Sequence, residues 1–282
     1  MDYDTNTDNK ILYKIFKNLI DKNSFIKYGK SFYGQDLIAF HKGTFCGKQF
    51  FITGGMHARE YISSFVVMKL FEDYDLDYGC FFIPLVNPDG INLCTLGQEC
   101  VPRKYKAMTL RLNNNSTDFS MWKANGRGVD LNVNFDAMWG KGKFCKYLPG
   151  ASGYIGERAN SEPENIALLS LMNKHDIDLS IAYHSKGEVV YHGFEGMSKQ
   201  NKRKTFKYAK FFAKNLKYKC VISKNSVGGL SDYLSMKNVI SLTVELGNDH
   251  LKHPISYKYF ENIYHGQYEA LKKLFLYRRN HD

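Results

Sequence analysis

Four short runs of unbroken apolar character constrain this chain more than anything else in it. They fall at residues 49–53, 80–86, 179–183 and 240–245. A strand with one wet face alternates apolar and polar residues. A run without alternation reads as a strand covered on both faces, which requires helices on each side of a sheet. Helical periodicity lies between the runs. Residues 9–20 space apolar groups between lysines. Residues 60–74 carry Ile62, Phe65, Val66, Met68, Leu70 and Phe71, residues 161–174 open on the helix-start pattern Ser161-Glu162-Pro163-Glu164, and a basic segment covers 199–217. The alternation predicts an α/β fold: a mixed, mostly parallel sheet with helices on both faces. With 282 residues and no repeat or Pro/Gly/Ser-rich linker, the chain reads as a single domain over residues 1–282.

The remaining bulk features mainly exclude. Such a length buries enough surface to fold without disulfides or a structural metal. The six cysteines are scattered without a C-x-x-C pair, so free thiols are expected and a zinc ribbon or thioredoxin-type site is not. No apolar run reaches the length of a bilayer span. The acidic, polar start Met1-Asp2-Tyr3-Asp4 lacks the marks of a secretory signal, so a cytoplasmic protein with no membrane association is expected. The formal charge of +11 (39 Lys plus Arg against 28 Asp plus Glu) invites a nucleic-acid reading. The densest basic stretch, 199–210, also carries helically spaced Phe206, Tyr208 and Ala209, which fits a solvated helix face better. No nucleic-acid-binding signature accompanies it, so no nucleic-acid partner is expected.

Ligands in such folds gather at the carboxyl ends of strands, and the polar clusters of this chain follow its apolar runs. Gly54-Gly55-Met56-His57 follows the first, Asn87-Pro88-Asp89-Gly90 the second and His184-Ser185 the third, while Glu245 ends the fourth. His, Asp, His and Glu are thus expected at one sheet edge. His57 and Glu60, three apart, share a face if a helix begins there, with β-carbons about 5–6 Å apart. With His184 as a third ligand they form a two-His, one-carboxylate set, which leaves one zinc position open for water. Alone, His57 and Glu60 fit a surface helix start better than a metal site.

In order along about residues 27–250, six segments resemble those of the carboxypeptidase A/B-like zinc carboxypeptidases. They are Gly54-Gly55-Met56-His57-Ala58-Arg59-Glu60, Asn87-Pro88-Asp89-Gly90, Gly128-Val129-Asp130-Leu131-Asn132-Val133-Asn134-Phe135, Ser161-Glu162-Pro163-Glu164, Tyr183-His184-Ser185 and Thr243-Val244-Glu245-Leu246. Gly29-Lys30-Ser31 with Gly34 matches an early signature of the same family. The resemblance implies one Zn2+ held by His57, Glu60 and His184, with Glu245 as general base and then general acid. It implies substrate contacts from Arg59 and Asn132. The family's oxyanion-stabilising arginine falls on Lys123, with Arg127 nearby as the alternative. A chain filled by these motifs is expected to carry no propeptide or wall-anchoring module.

Three departures bear on the substrate. Val133 stands where the family has an arginine that grips the substrate carboxylate, and valine donates no hydrogen bond. Lys224 aligns with the family's substrate-capping tyrosine. Ser231 falls at the position that tunes the specificity pocket, where a small polar residue without an acid suits neither a large apolar nor a basic side chain. Retention of the ligands and of Glu245 favours an active zinc metallopeptidase over a catalytically silent zinc-binding protein. Members of a family subgroup that cuts the γ-D-glutamyl bond to a diamino acid in bacterial cell-wall peptides often alter the family's Asn-Arg pair, here Asn132-Val133, and the chain resembles that subgroup. Lys186, Lys224, Arg59 and Glu188 would then complement the charges of a small peptide of this kind, a muropeptide. A conventional carboxypeptidase acting on ordinary C-termini is the alternative. His-Glu-x-x-His, Gly-x-Ser-x-Gly and phosphate-loop patterns are absent.

Overall fold

The computed structural model describes residues 5–194, 196–224 and 226–281. An eight-stranded mixed sheet runs β1-β2-β4-β3-β5-β8-β6-β7. The strands are β1 (Phe25–Lys30), β2 (Asp36–Lys42), β3 (Gln49–Thr53), β4 (Cys80–Ile83), β5 (Ile177–Ser185), β6 (Val189–Tyr191), β7 (Lys219–Val221) and β8 (Ile240–Leu246). The central four, β4-β3-β5-β8, are mutually parallel. They are the four apolar runs of the sequence. Antiparallel strands β2 and β6 flank them.

Alternate residues of β3 explain the unbroken apolarity. Phe50 and Ile52 enter a core built with α1 (Thr5–Lys22), α2 (Ile62–Asp73), α6 (Lys199–Leu216) and α9 (Gln267–Arg279). Phe51 enters a second core on the other face, closed by α5 (Pro163–Met172) and α7 (Leu230–Met236). Both faces of the central strands are therefore dry, and apolar side chains are needed on each face of them.

Several expected boundaries shift for local reasons. The second run ends as a strand at Ile83, because Pro84 supplies no N–H to the ladder. Ser161 does not cap α5. Glu162 takes the cap position without a side-chain bond, and Pro163 opens the helix with its preset φ. Ser161 Oγ instead donates to Glu162 Oε1 at 2.6 Å. On α6, Tyr208, Ala209, Phe212 and Ala213 are buried, whereas Phe206 faces solvent. Cys94 and Cys100 are separate free thiols, and no described helix is long and apolar enough to cross a membrane.

Candidate metal centre

The carboxyl ends of β3, β5 and β8 bring three chemistry-bearing residues together. Past β3 the chain turns sharply through Gly55, at φ +64°, where an added Cβ would lie 2.4 Å from Ser64 Oγ. Only glycine fits that conformation and approach. The turn delivers His57 to the start of a 3₁₀ segment, Ala58–Glu60, rather than to an α-helix; α2 begins later, at Ile62. Residues i and i+3 eclipse in a 3₁₀ turn, so His57 and Glu60 still face the same way. His184 comes from the end of β5 and lies in register with Glu245 of β8.

The donor atoms converge. His57 Nδ1 lies 2.9 Å from Glu60 Oε2, and His184 Nδ1 lies 3.0 Å from both. The three residues are 6%, 5% and 2% exposed. Zinc bonds to nitrogen and oxygen are about 2.0–2.2 Å long, so one ion can reach all three atoms, and the donor set is a zinc set. Among the described residues this is the single group of three or more potential ligands so close together. The other side of His57 supports the fit: its Nε2 lies 3.1 Å from Asp130 Oδ1. A carboxylate there fixes ring orientation and leaves Nδ1 free as the ligand.

Asp130 lies in the segment 128–135, where the sequence alone marks no role for it. Buried to 1% exposure, it also accepts from the backbone of Asn132 (3.3 Å) and Gly153 (3.1 Å), and its Oδ2 lies 3.0 Å from Lys123 Nζ. Burial alone would raise its pKa; Lys123 and His57 outweigh that and hold it well below the usual carboxylate range. Burial would likewise lower the Lys123 pKa, but Asp130 and Glu60 raise it, so Lys123 remains a cation beside the ligands. Arg127 is elsewhere, with its guanidinium 2.8 Å from Glu157 and 4.0 Å from Glu162.

Glu245 faces a cavity of about 420 Å3 together with Asn132, Tyr191, Lys224, Ser231, Asp232 and Thr243. Burial, with Glu60 nearby, pushes the Glu245 carboxyl up to about 7. Asn132 Oδ1 accepts from Leu230 N (3.1 Å), and Ser231 Oγ accepts from Thr243 Oγ1 (2.8 Å). Lys224 is exposed at the rim. Val133 presses its carbonyl side against Gly228 and does not line the cavity. Lys186 is bound to the Asp249 carbonyl (2.6 Å), and Glu188 lies by a separate depression with Tyr218 and Asn248. Arg59 Nε is buried without a described partner. The sequence also gave no hint of His253. Burial lowers its pKa to about 4, with Glu60 acting in the opposite sense and Arg59 and Lys186 adding to the fall.

The segments 87–90 and 161–164 act as supports. Asp89 does not join the metal centre; its carboxylate accepts from Ser31 Oγ, Tyr33 N and Gln35 Nε2, anchoring the turn between β1 and β2. Asn87 Nδ2 donates to the carbonyls of Met56 and Ala124, tying the His57 loop to the Lys123 loop. Asn125 Nδ2 donates to Glu162 and Glu164, so the two buried glutamates of Ser161-Glu162-Pro163-Glu164 hold that loop from behind.

Comparison with known proteins agrees with this geometry. The family model described as zinc carboxypeptidase matches residues 21–263. The chain is 30% identical over 237 residues to γ-D-glutamyl-L-diamino acid endopeptidase 1 of Lysinibacillus sphaericus, covering 77% of this chain and 58% of that one. Its fold is similar to carboxypeptidase A of Helicoverpa armigera (TM-score 0.73, 18% identity, 96% of this chain and 72% of that one). It is also similar to murein-tripeptide amidase MpaA of Escherichia coli O157 (TM-score 0.59, 19% identity, 88% and 92%). A two-His, one-carboxylate centre at the parallel edge of a mixed α/β sheet and a family match over most of the sequence converge: the chain belongs to the zinc carboxypeptidase family and is a zinc metallopeptidase.

Proposed function

We propose that the chain hydrolyses the γ-D-glutamyl bond to a diamino acid in bacterial cell-wall peptides. The observation that carries this reading is the cavity beside Glu245, which holds Asn132, Lys224 and Asp232 but no arginine at residue 133. A site built for ordinary C-termini would offer a bidentate cation there. The names of the Lysinibacillus sphaericus relative and of the Escherichia coli fold neighbour support the same substrate class.

Zinc held by His57, Glu60 and His184 would supply a Lewis acid that polarises the scissile carbonyl and acidifies water. Glu245, whose carboxyl titrates near neutrality, takes the proton of the attacking water and delivers it to the leaving amine. Lys123 is the better-placed oxyanion partner, because Asp130 holds its ammonium beside His57, whereas Arg127 is drawn to Glu157 and Glu162. Asp130 positions both His57 and Lys123. Asn132 contributes an amide at the cavity wall, and the diamino acid on the amine side of the bond occupies the cavity. Lys224 at the cavity rim offers positive charge suited to the carboxylates of such peptides, while Arg59 and Lys186 add to the positive field around His253.

The test is digestion of muropeptides of defined stem structure by the zinc-loaded enzyme, with products identified by mass. Release of the diamino acid portion from γ-D-glutamate is expected, abolished by chelation and restored by zinc. Glu245→Gln should retain zinc and lose at least roughly a thousandfold in rate. Fast release of C-terminal residues from ordinary α-linked peptides, with γ-D-glutamyl-diaminopimelate peptides left intact, would overturn the reading.

A further inference from the structure

We infer that Asp232 is the specificity-determining acid of the cavity, receiving the side-chain ammonium of the residue that lies there. The inference deepens the reading above and rests on that cavity holding the residue on the amine side of the cleaved bond. Ser231, at the position that tunes the pocket, is neutral. The acid stands one residue further along, in the first turn of α7, and faces the same cavity.

Three observations point to a missing cation. Asp232 Oδ2 accepts the Gly229 N–H at 3.1 Å, which closes the start of α7, and among the described residues Oδ1 has no partner. No described lysine or arginine pairs with the carboxylate, although the chain carries an excess of both. Apart from Lys224 at the rim, the described lining carries no cation: it mixes Asn132, Ser223, Ser226, Ser231 and Thr243 with Phe144, Tyr191, Val221 and Ile222, and its other acid is Glu245. Burial pushes the Asp232 carboxyl up to about 7, as expected of an acid held in a recess without a counter-ion. An ammonium entering the cavity supplies that counter-ion and restores the ionised form. Lys224, exposed at the rim, offers the complementary charge to a carboxylate. Acid inside and base at the mouth match an amino acid side chain that bears an amine, with or without an adjoining carboxylate.

The test separates this role from the capping role of the same side chain. Asp232→Asn keeps an oxygen to accept the Gly229 N–H but removes the charge. Binding to the zinc-loaded enzyme is measured by calorimetry for L-lysine against L-norleucine and for meso-diaminopimelate against L-2-aminopimelate. The wild-type protein should bind the amine-bearing member of each pair about 10- to 100-fold more tightly, the value of one charged hydrogen-bonded pair. In the variant this ratio should collapse towards one. Equal binding of both members by the wild-type enzyme, or a ratio that survives in the variant, overturns the assignment. The wild-type comparison stands even if the variant folds poorly. The same ratio in kcat/KM on γ-D-glutamyl-linked and on α-linked substrates distinguishes the two levels. Refusal of γ-D-glutamyl substrates with an Asp232-dependent lysine preference overturns the cell-wall reading and leaves this one intact. Cleavage of them with no such dependence does the reverse.

Discussion

Replacing Asp130 by Asn tests the link between the metal centre and its support. Oδ1 faces His57 Nε2 and the Asn132 N–H, and Oδ2 faces Lys123 Nζ and the Gly153 N–H. Whichever oxygen becomes the amide NH2, two donors lose their acceptor, one of them a side chain that carries or develops charge. A lost hydrogen bond to a charged group is worth about 1.5–3 kcal/mol and a neutral one about 1 kcal/mol. Breaking one side of a buried pair costs about 3–5 kcal/mol, and the 22% exposure of the Lys123 side chain places this case near the lower end. The variant should therefore lose about 3 kcal/mol of stability in urea unfolding of the chelated protein. It should also bind zinc roughly 10- to 100-fold more weakly in competition with a chelator, because His57 loses its orienting carboxylate. The zinc-loaded form should consequently lose more stability than the chelated one. Stability within about 0.5 kcal/mol of wild type, together with zinc affinity within about twofold, would refute the assignment of Asp130 as the residue that positions His57 and Lys123.

Lys123→Met should lower kcat/KM by about 10²- to 10³-fold while leaving zinc bound, with Lys123→Arg recovering much of the loss; steady-state kinetics beside metal analysis decides this. Gly90→Ala would place a Cβ 2.4 Å from the Ala124 carbonyl oxygen, so a loss of about 2 kcal/mol or more is expected by calorimetry, against a few tenths for an open glycine. Asp232 bears on pH-dependent stability. Its folded pKa of about 7 lies above its unfolded value of about 4, so its contribution is present below pH ~4 and is lost as pH rises through about 7. Asp232→Asn should therefore gain on wild type by about 2–3 kcal/mol between pH 5 and pH 8, and a difference independent of pH would count against an uncompensated acid.

The amino-acid sequence alone determined the sheet and its functional edge. Runs such as 49–53 and 179–183 carry apolar residues without a period-two alternation, and that pattern suits strands with both faces dry. Placing His57, His184 and Glu245 at one edge followed from the rule for parallel strands, and the three-residue spacing of His57 and Glu60 survived the exchange of an expected α-helix for a 3₁₀ turn. What remained hidden depends on contacts between distant segments. Asp89 and Asp130 look alike as acids in short polar motifs. One turns away to hold the β1–β2 turn, and the other lies between His57 and Lys123. Lys123 and Arg127 are four apart in sequence, yet Asp130 holds one beside the ligands while Glu157 and Glu162 draw the other away. The acid of the cavity sits at Asp232 and not at Ser231 because α7 starts at Leu230 and is laid against the Asn132 loop, with the Leu230 N–H bonded to Asn132 Oδ1. Periodicity records which side chains must leave water, so it is legible locally. The partner that each buried polar group meets is set by chain segments tens to over a hundred residues away, and only the tertiary structure decides it.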